Sequence, residues 1–374
     1  MKHWLQTAII CGGLLPVYAQ NQPEEFTVAT LNVDGLPAEV VFSINPDGPC
    51  EKYTPEIADY LLRKDYDIVG FQENFNFYDL LFQRLEVSYH HDNCGGKIAE
   101  ENFVIPYPFD GISLIWHHGI EGARTDSVCW TESYGLLGHA NDELASKGFR
   151  RYELTLKGGS QVVVYNGHWD AAGDEDELYG YDDPDRQTRL SQLRQLRDSI
   201  MNYLDHRPVI VMGDLNCYYG RDSLRQHFIE AIDATGRAKV TDAWIELVRN
   251  GEYPEMIFRD VPLDEEFFVD WGREGEVHDK ILFINPTGGS QLTALSYDMD
   301  REGYMRSDNP TVPLGDHYPV AVRFRIDPAS GSGIRSLQAS QQTDGYFSLN
   351  GERLQARPTR KGVYIYNGRK YVVK

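Results

Sequence analysis

Five short polar clusters stand out in the 374-residue chain, because each follows or sits within an apolar stretch that reads as a strand. They are Leu31-Asn32-Val33-Asp34-Gly35-Leu36-Pro37, Phe71-Gln72-Glu73-Asn74, Asn166-Gly167-His168-Trp169-Asp170, Met212-Gly213-Asp214-Leu215-Asn216, and a last region with His278-Asp279-Lys280 and Gly315-Asp316-His317-Tyr318-Pro319. Singly, each has a plain explanation: Asn and Asp after a strand often satisfy their own backbone in a turn. Together they supply what metal-assisted hydrolysis of a phosphoester needs. Hard divalent cations take carboxylate and amide oxygens, which Glu73, Asn32 and Asp316 offer. The attacking water needs a base, and Asp214 is the candidate. Charge developing on phosphorus oxygens needs donors, and Asn216 and His168 are the candidates. A carboxylate beside a histidine orients the ring and favours its protonated form, as Asp279 would do for His317.

The elements that must position these residues are legible from pattern. Apolar runs predict strands over residues 26–32, 67–71, 111–116, 209–212, 281–284 and 320–326. Residues 149–156 and 161–166 flank Lys157-Gly158-Gly159-Ser160, a hairpin signal. Helices are expected over 55–63, with Thr54 as N-cap and Pro55 at the first helical position, and over 77–85. A longer helix starts at Asp183-Pro184 and ends at Pro208. Its apolar face is Leu190, Leu193, Leu196, Ile200 and Leu204, which leaves Arg186, Arg189, Arg194 and Arg197 for solvent. Strands alternating with helices, with hairpins among them, predict an α/β sandwich of mixed sheets rather than a purely parallel fold.

The ordered set Asn32, Gln72-Glu73, Gly167-His168, Gly213-Asp214-Leu215-Asn216 and Gly315-Asp316-His317-Tyr318-Pro319 resembles the endonuclease/exonuclease/phosphatase superfamily, over roughly residues 26–326. The resemblance implies a four-layer sandwich of two mixed β-sheets flanked by helices, with the site where loops of both sheets meet. It implies a Mg2+-dependent phosphoesterase, with Mn2+ as a substitute. Glu73 would be the main metal ligand, with Asn32 and Asp316 nearby and Asp34 matching a second acidic position. Asp214 would activate water, Asn216 and His168 would hold the phosphate, and His317, paired with Asp279, would stabilise the pentacovalent state. The family's next-to-last motif usually has an apolar residue before the aspartate and an aromatic after it, where this chain has His278 and Lys280.

Tyr66-Asp67-Ile68-Val69-Gly70-Phe71-Gln72-Glu73-Asn74-Phe75 and Asp142-Glu143-Leu144-Ala145-Ser146-Lys147-Gly148-Phe149 look closest to neutral sphingomyelinases, and Arg186 and Gln187 fit as well. Asp170 departs from them, since they commonly carry glutamine there. The expected substrate is therefore a phospholipid headgroup. The alternatives are nucleic acid, an inositol-phosphate-type substrate, or a non-enzymatic surface module that kept the fold. Phe267, Phe268 and Trp271 lie in an acidic insertion. They read as packing under a loop, with transient membrane-surface contact as the alternative, because Asp264, Glu265, Glu266 and Asp270 would oppose an anionic surface.

The formal net charge of −21 removes any basic footprint for tight binding to a phosphate backbone. It does not exclude phosphate substrates, because a bound metal supplies local positive charge. Residues 1–19 read as a signal peptide: Lys2 and His3, a short apolar run, and Val17-Tyr18-Ala19 as the cleavage site. Ile10 before Cys11 disfavours lipidation. A secreted or cell-surface location follows. Cys50, Cys94, Cys129 and Cys217 then permit two disulfides, and Cys50–Cys94 is the preferred pair because both sit in Gly-rich loops. The expected layout is a catalytic domain over 20–327, a Ser/Gly/Gln-rich linker over 328–343 and a small β unit over 344–374. That last unit resembles the sorting tails of type IX secretion, which implies contact with secretion machinery.

Overall fold

The structure, a computed structural model, describes residues 22–36, 51–92, 109–136, 139–171, 183–255, 275–329, 346–348, 353–354, 356–366 and 369–373. The expected signal peptide, the pair Cys50 and Cys94, and the insertion with Phe267, Phe268 and Trp271 lie outside these residues. Contacts divide the chain into two compact units, Met1–Ala329 and Ser330–Lys374.

The first unit is built on two six-stranded mixed sheets. The strands of sheet 1 are β1 (Glu24–Asn32), β2 (Ile68–Gln72), β3 (Tyr89–His91), β4 (Ser113–His117), β11 (Gln291–Met299) and β12 (Val320–Asp327), in the order β11-β12-β1-β2-β4-β3. The strands of sheet 2 are β5 (Glu121–Cys129), β6 (Gly148–Thr155), β7 (Gln161–His168), β8 (Val209–Asp214), β9 (Ala238–Asp242) and β10 (Asp279–Pro286), in the order β5-β6-β7-β8-β10-β9. Each sheet contains one parallel pair, β1 with β2 and β7 with β8; the other pairings are antiparallel. β2 and β8 are buried along their whole length, as expected of strands covered on both faces.

Helices α1 (Thr54–Lys64) and α2 (Tyr78–Leu85) cover the outer face of sheet 1, packing Ile57, Leu61, Leu81 and Leu85 against Leu31, Val69 and Ile115. Helix α3 (Pro184–Tyr203) joins the core of sheet 2 through Leu190, Leu193, Leu196 and Ile200. Asp183 caps α3, its side chain accepting from the N–H groups of Asp185 and Arg186. Short helices α4 (Glu230–Asp233) and α5 (Ala243–Leu247), a 3-10 turn over His139–Leu144 and a π-helical turn over Arg225–Ile229 complete the described set.

Three expectations are corrected. Thr54 lies inside α1, and the N-cap is Tyr53, which makes no side-chain capping bond. α3 stops at Tyr203, because Leu204 is already extended, so Pro208 follows the helix rather than ending it. Arg186 and Arg189 are fully buried rather than solvated, since each finds polar partners in the loop after β8. Strands β3, β5, β9 and β11 were not apparent from pattern. Cys129 is an exposed free thiol and Cys217 a buried one. Among the described residues no helix is long and apolar enough to cross a membrane.

The second unit is an antiparallel sheet of β13 (Tyr346–Phe347), β14 (Arg353–Leu354), β15 (Gly362–Tyr366) and β16 (Arg369–Val373), ordered β14-β13-β15-β16.

Candidate active site

Strand register brings the candidate residues to one end of the sandwich. Asn32 closes β1 opposite Gln72, which closes β2 and hands on to Glu73. In sheet 2, His168 pairs with Asp214 across β7 and β8, and Asp214 pairs with Asp279 across β8 and β10. The chain then leaves three strands through left-handed residues: Asp34 (φ 47°), Glu73 (φ 54°) and Asn216 (φ 49°). Asn and Asp tolerate this region, but a glutamate there is uncommon. Such a conformation costs of order 1 kcal/mol and persists only where the surroundings enforce it. Glu73 is so enforced: its carbonyl accepts from the N–H of Phe75, Gln72 O accepts from Val33, and a Cβ on Gly35 would stand 2.3 Å from Glu73 O. Only glycine fits at position 35.

Below the site lies a polar seam between the sheets. Gln72 Nε2 donates to Asn166 Oδ1 at 2.6 Å, and Asn166 Nδ2 donates to the carbonyls of Phe71 and Ser113. These groups are fully buried, so each bond avoids an unsatisfied polar atom. The seam registers sheet 1 on sheet 2 beneath the candidate groups.

The predicted residues converge on Asp214. Its Oδ1 accepts from the N–H of Asn216 at 3.0 Å. Its Oδ2 accepts from Asn32 Nδ2 at 3.2 Å, and lies 3.5 Å from His168 Nε2 and 3.7 Å from His317 Nε2. The other nitrogen of His317, Nδ1, meets Asp279 Oδ2 at 2.6 Å. Glu73 Oε1 accepts from Asn32 Nδ2 at 3.1 Å and stands 3.9 Å from His168 Nε2. Asn32 turns its nitrogen, not its oxygen, toward the two carboxylates, because its Oδ1 accepts from the N–H of Asp34. Asn216 Nδ2 already donates to the carbonyl of Trp169. Asp34 Cβ stands 3.9 Å from where a Cβ on Gly315 would be, which places Asp34 beside the loop that carries Asp316.

Electrostatics differentiate these groups. Burial and the charge of Asp316 push the Glu73 carboxyl up to about 7. Burial also raises Asp214, with Asp279 adding to it and His317 opposing. Burial opposes the charge on His317, but Asp279, Asp214 and Asp316 outweigh it and hold the ring well above its ordinary value. His168 goes the other way: burial, Lys147 and His317 hold it well below, so it is neutral. The two imidazoles that face Asp214 Oδ2 are thus driven in opposite directions.

Lys147 was not among the predicted site residues, although the segment containing it was noted. It is a buried ammonium paired with Asp142, and its Nζ donates to Trp169 O at 3.4 Å. Burial opposes its charge, but Asp142, Glu73 and Asp170 hold it above its ordinary value. It supplies positive potential to Glu73, Asp214 and His168.

Among the described residues, no three His, Cys, Asp or Glu side chains stand at metal-binding spacing. The donor set still suits a hard divalent ion. Glu73 and Asp316 are carboxylates close enough to raise Glu73, and no Lys or Arg pairs directly with Glu73 among the described ion pairs. A carboxyl held up by burial and by a second carboxylate, despite Lys147 and His317, is what a cation relieves.

No protein-family model matches the chain. Among curated proteins, the sphingomyelinases of Mycobacterium tuberculosis (strain ATCC 25618 / H37Rv) and Mycobacterium bovis are each 27% identical over 314 residues, covering 82% of this chain and 55% of theirs. The chain thus spans about half the length of the curated relatives it matches. Solved structures with the same fold include humanized D. rerio TDP2 (TM-score 0.51, 15% identity, 80% of this chain and 98% of that one). Another is an endonuclease/exonuclease/phosphatase family protein from Bacteroides thetaiotaomicron (TM-score 0.51, 16% identity, 82% and 99%). At such identities the likeness establishes the fold: two six-stranded mixed sheets flanked by helices, of the DNase I-like type.

Proposed function

We propose that this chain is a metal-dependent phosphodiesterase that hydrolyses a phospholipid headgroup ester of the sphingomyelin type. The observation that carries the reading is the convergence of Asn32, His168, Asn216 and His317 on Asp214, with Glu73 alongside. The sphingomyelinase relatives support the choice of substrate.

Glu73 and Asp316, with Asp34 beside them, would hold Mg2+ or Mn2+, whereas Asn32, predicted as a ligand, turns its amide nitrogen to the carboxylates and orients them instead. When bound, the ion neutralises phosphate charge and makes water more acidic. Asp214, fixed by the N–H of Asn216 and by Asn32, accepts the proton of the attacking water. The water oxygen bonds to phosphorus, the headgroup–lipid P–O bond breaks, and the lipid oxygen leaves and takes up a proton. His317, kept cationic by Asp279, donates to the phosphoryl oxygens as their charge grows. His168, held toward its neutral form by burial and by Lys147, turns Nε2 toward the same oxygens, and Lys147 adds fixed positive charge to the site. Asn216 orients Asp214 through its backbone and holds phosphate with the N–H of its amide that Trp169 does not use.

The test is release of phosphocholine from sphingomyelin vesicles with Mg2+, beside an EDTA control and the Asp214→Asn variant. Release that needs both metal and Asp214 is the expected result. Folded protein that releases none would overturn the lipid reading and direct the search to nucleic acid or inositol phosphates.

Export is part of the same proposal. Residues 1–19 would be cleaved, leaving Gln20 first, and the Ser330–Lys374 unit would address the protein to secretion machinery. A chain ending at Ala329 should keep hydrolysis and lose delivery to the cell surface.

A further inference from the structure

The loop after β7 begins at His168, the loop after β8 carries Asn216, and both loops are tied to one carboxylate. Asp222 is fully buried, as are its partners Arg189 and Arg221. Asp222 Oδ1 accepts from Arg189 Nε at 3.0 Å, and its Oδ2 accepts from Arg221 Nε at 2.7 Å and from the N–H of Tyr218 at 3.0 Å. The guanidinium groups then reach away from Asp222 to backbone carbonyls. Arg221 Nη2 donates to Asn216 O. Arg189 Nη1 donates to Ala171 O at 3.0 Å and Asp170 O at 3.4 Å. Asn216 Nδ2, donating to Trp169 O, closes the circuit between the two loops.

Two features say that this cluster serves geometry. A buried ion cluster is a weak source of stability, since apolar side chains of similar volume often stabilise as well or better. Its outer bonds also end at carbonyls within three residues of His168 or on Asn216 itself, and Asn216 is held left-handed there. We propose that Asp222 is a positioning residue for the phosphoester site, acting through Arg221 on Asn216 and through Arg189 on the loop that follows His168. The proposal rests on the function proposed above.

The test compares the wild-type chain with Asp222→Asn, Arg221→Gln and the double variant on sphingomyelin vesicles with Mg2+. Amide hydrogen exchange over residues 168–171 and 214–218 is measured on the same proteins. Each single variant should lose at least about tenfold in kcat with KM within about twofold, the pattern of lost transition-state geometry. The double variant should fall no further than the worse single one, because both act on one path. Exchange should quicken in both loops and stay unchanged in β1 and β12. Folded single variants with kcat within twofold of wild type overturn the proposal, as does a double variant whose loss is the product of the singles. Arg221→Lys, which keeps the charge but loses the fork, stands in if Asp222→Asn does not fold, with the same expectation. If the wild-type chain hydrolyses no sphingomyelin, the proposed substrate fails, and exchange alone decides: unaltered protection at Asn216 in Asp222→Asn overturns the clamp.

Discussion

Asp214 is a buried carboxylate and Glu73 a partly exposed one, and the fold holds the ionised form of each at a disadvantage. An acid whose pKa is raised on folding weakens the folded state when ionised, so removing its charge should not unfold the chain. Asp214→Asn and Glu73→Gln should therefore each cut hydrolysis by about a hundredfold or more while thermal unfolding without metal stays level or improves. Near-normal turnover in either folded variant would mean that the reacting group lies elsewhere. Lys147→Met should lose at least about tenfold in kcat, as expected for deletion of a fixed charge near developing negative charge. It should also raise the apparent pKa of His168, since Lys147 is one of the charges holding it down; NMR titration of that ring is the check. The convergence of Asp214, Asn216 and His317 was legible from type and order, because a carboxylate, amide or imidazole bordering an apolar run is an unusual coincidence when repeated. Lys147 was not, because a lysine in a polar loop ordinarily faces water, and only the fold shows Asp142 closing over it.

At the scale of elements, the site depends on strand ends held in register. Asn166 is the bolt between the sheets, and Asn166→Leu would leave Gln72 Nε2 without its acceptor and remove the amide that bonds Phe71 O and Ser113 O. Unsatisfied buried groups cost about 1–3 kcal/mol each, so urea unfolding should show a loss of at least about 2 kcal/mol; a loss under 1 kcal/mol would mean the seam is not carrying load. The buried strands could be read because nothing else explains runs such as Val209-Ile-Val-Met212. β5 could not, since it is an edge strand exposed along most of its length and offers no apolar alternation. The apolar face of α3 was read correctly at Leu190, Leu193, Leu196 and Ile200, with Leu204 falling beyond the helix, whereas the burial of Arg186 and Arg189 was hidden. Their partners, Asp222, Ser223 and the Arg221 carbonyl, lie more than thirty residues away in sequence.

For the whole molecule, the excess of acid matters more through where it is buried than through its sum. Glu73 and Asp170 are pushed up to about 7 by burial and a neighbouring carboxylate each, and burial raises Asp142, Asp214, Asp242 and Glu276 as well. Unfolded carboxyls titrate near 4. Between about pH 4 and 7 these carboxyls bind more protons folded than unfolded and favour stability at the acid end, while His168, His278 and His227, held below their ordinary value chiefly by burial, oppose them below about pH 6.5. His317 acts in the same direction as the carboxyls at higher pH: its contribution is full below about 6.5 and is lost as pH climbs through its raised value. In EDTA, urea unfolding should show greater stability at pH 5 than at pH 8, with Mg2+ recovering part of the difference at pH 8; the opposite order would contradict the charge arrangement. The division of the site between sheets has a practical corollary. The turn after β4 is where the chain first crosses from sheet 1 to sheet 2, so a cut between His118 and Gly119 would put Asn32, Asp34 and Glu73 on one fragment and the remaining candidate groups on the other. Neither half could turn over substrate alone, and catalysis would become a reporter of two polypeptides meeting.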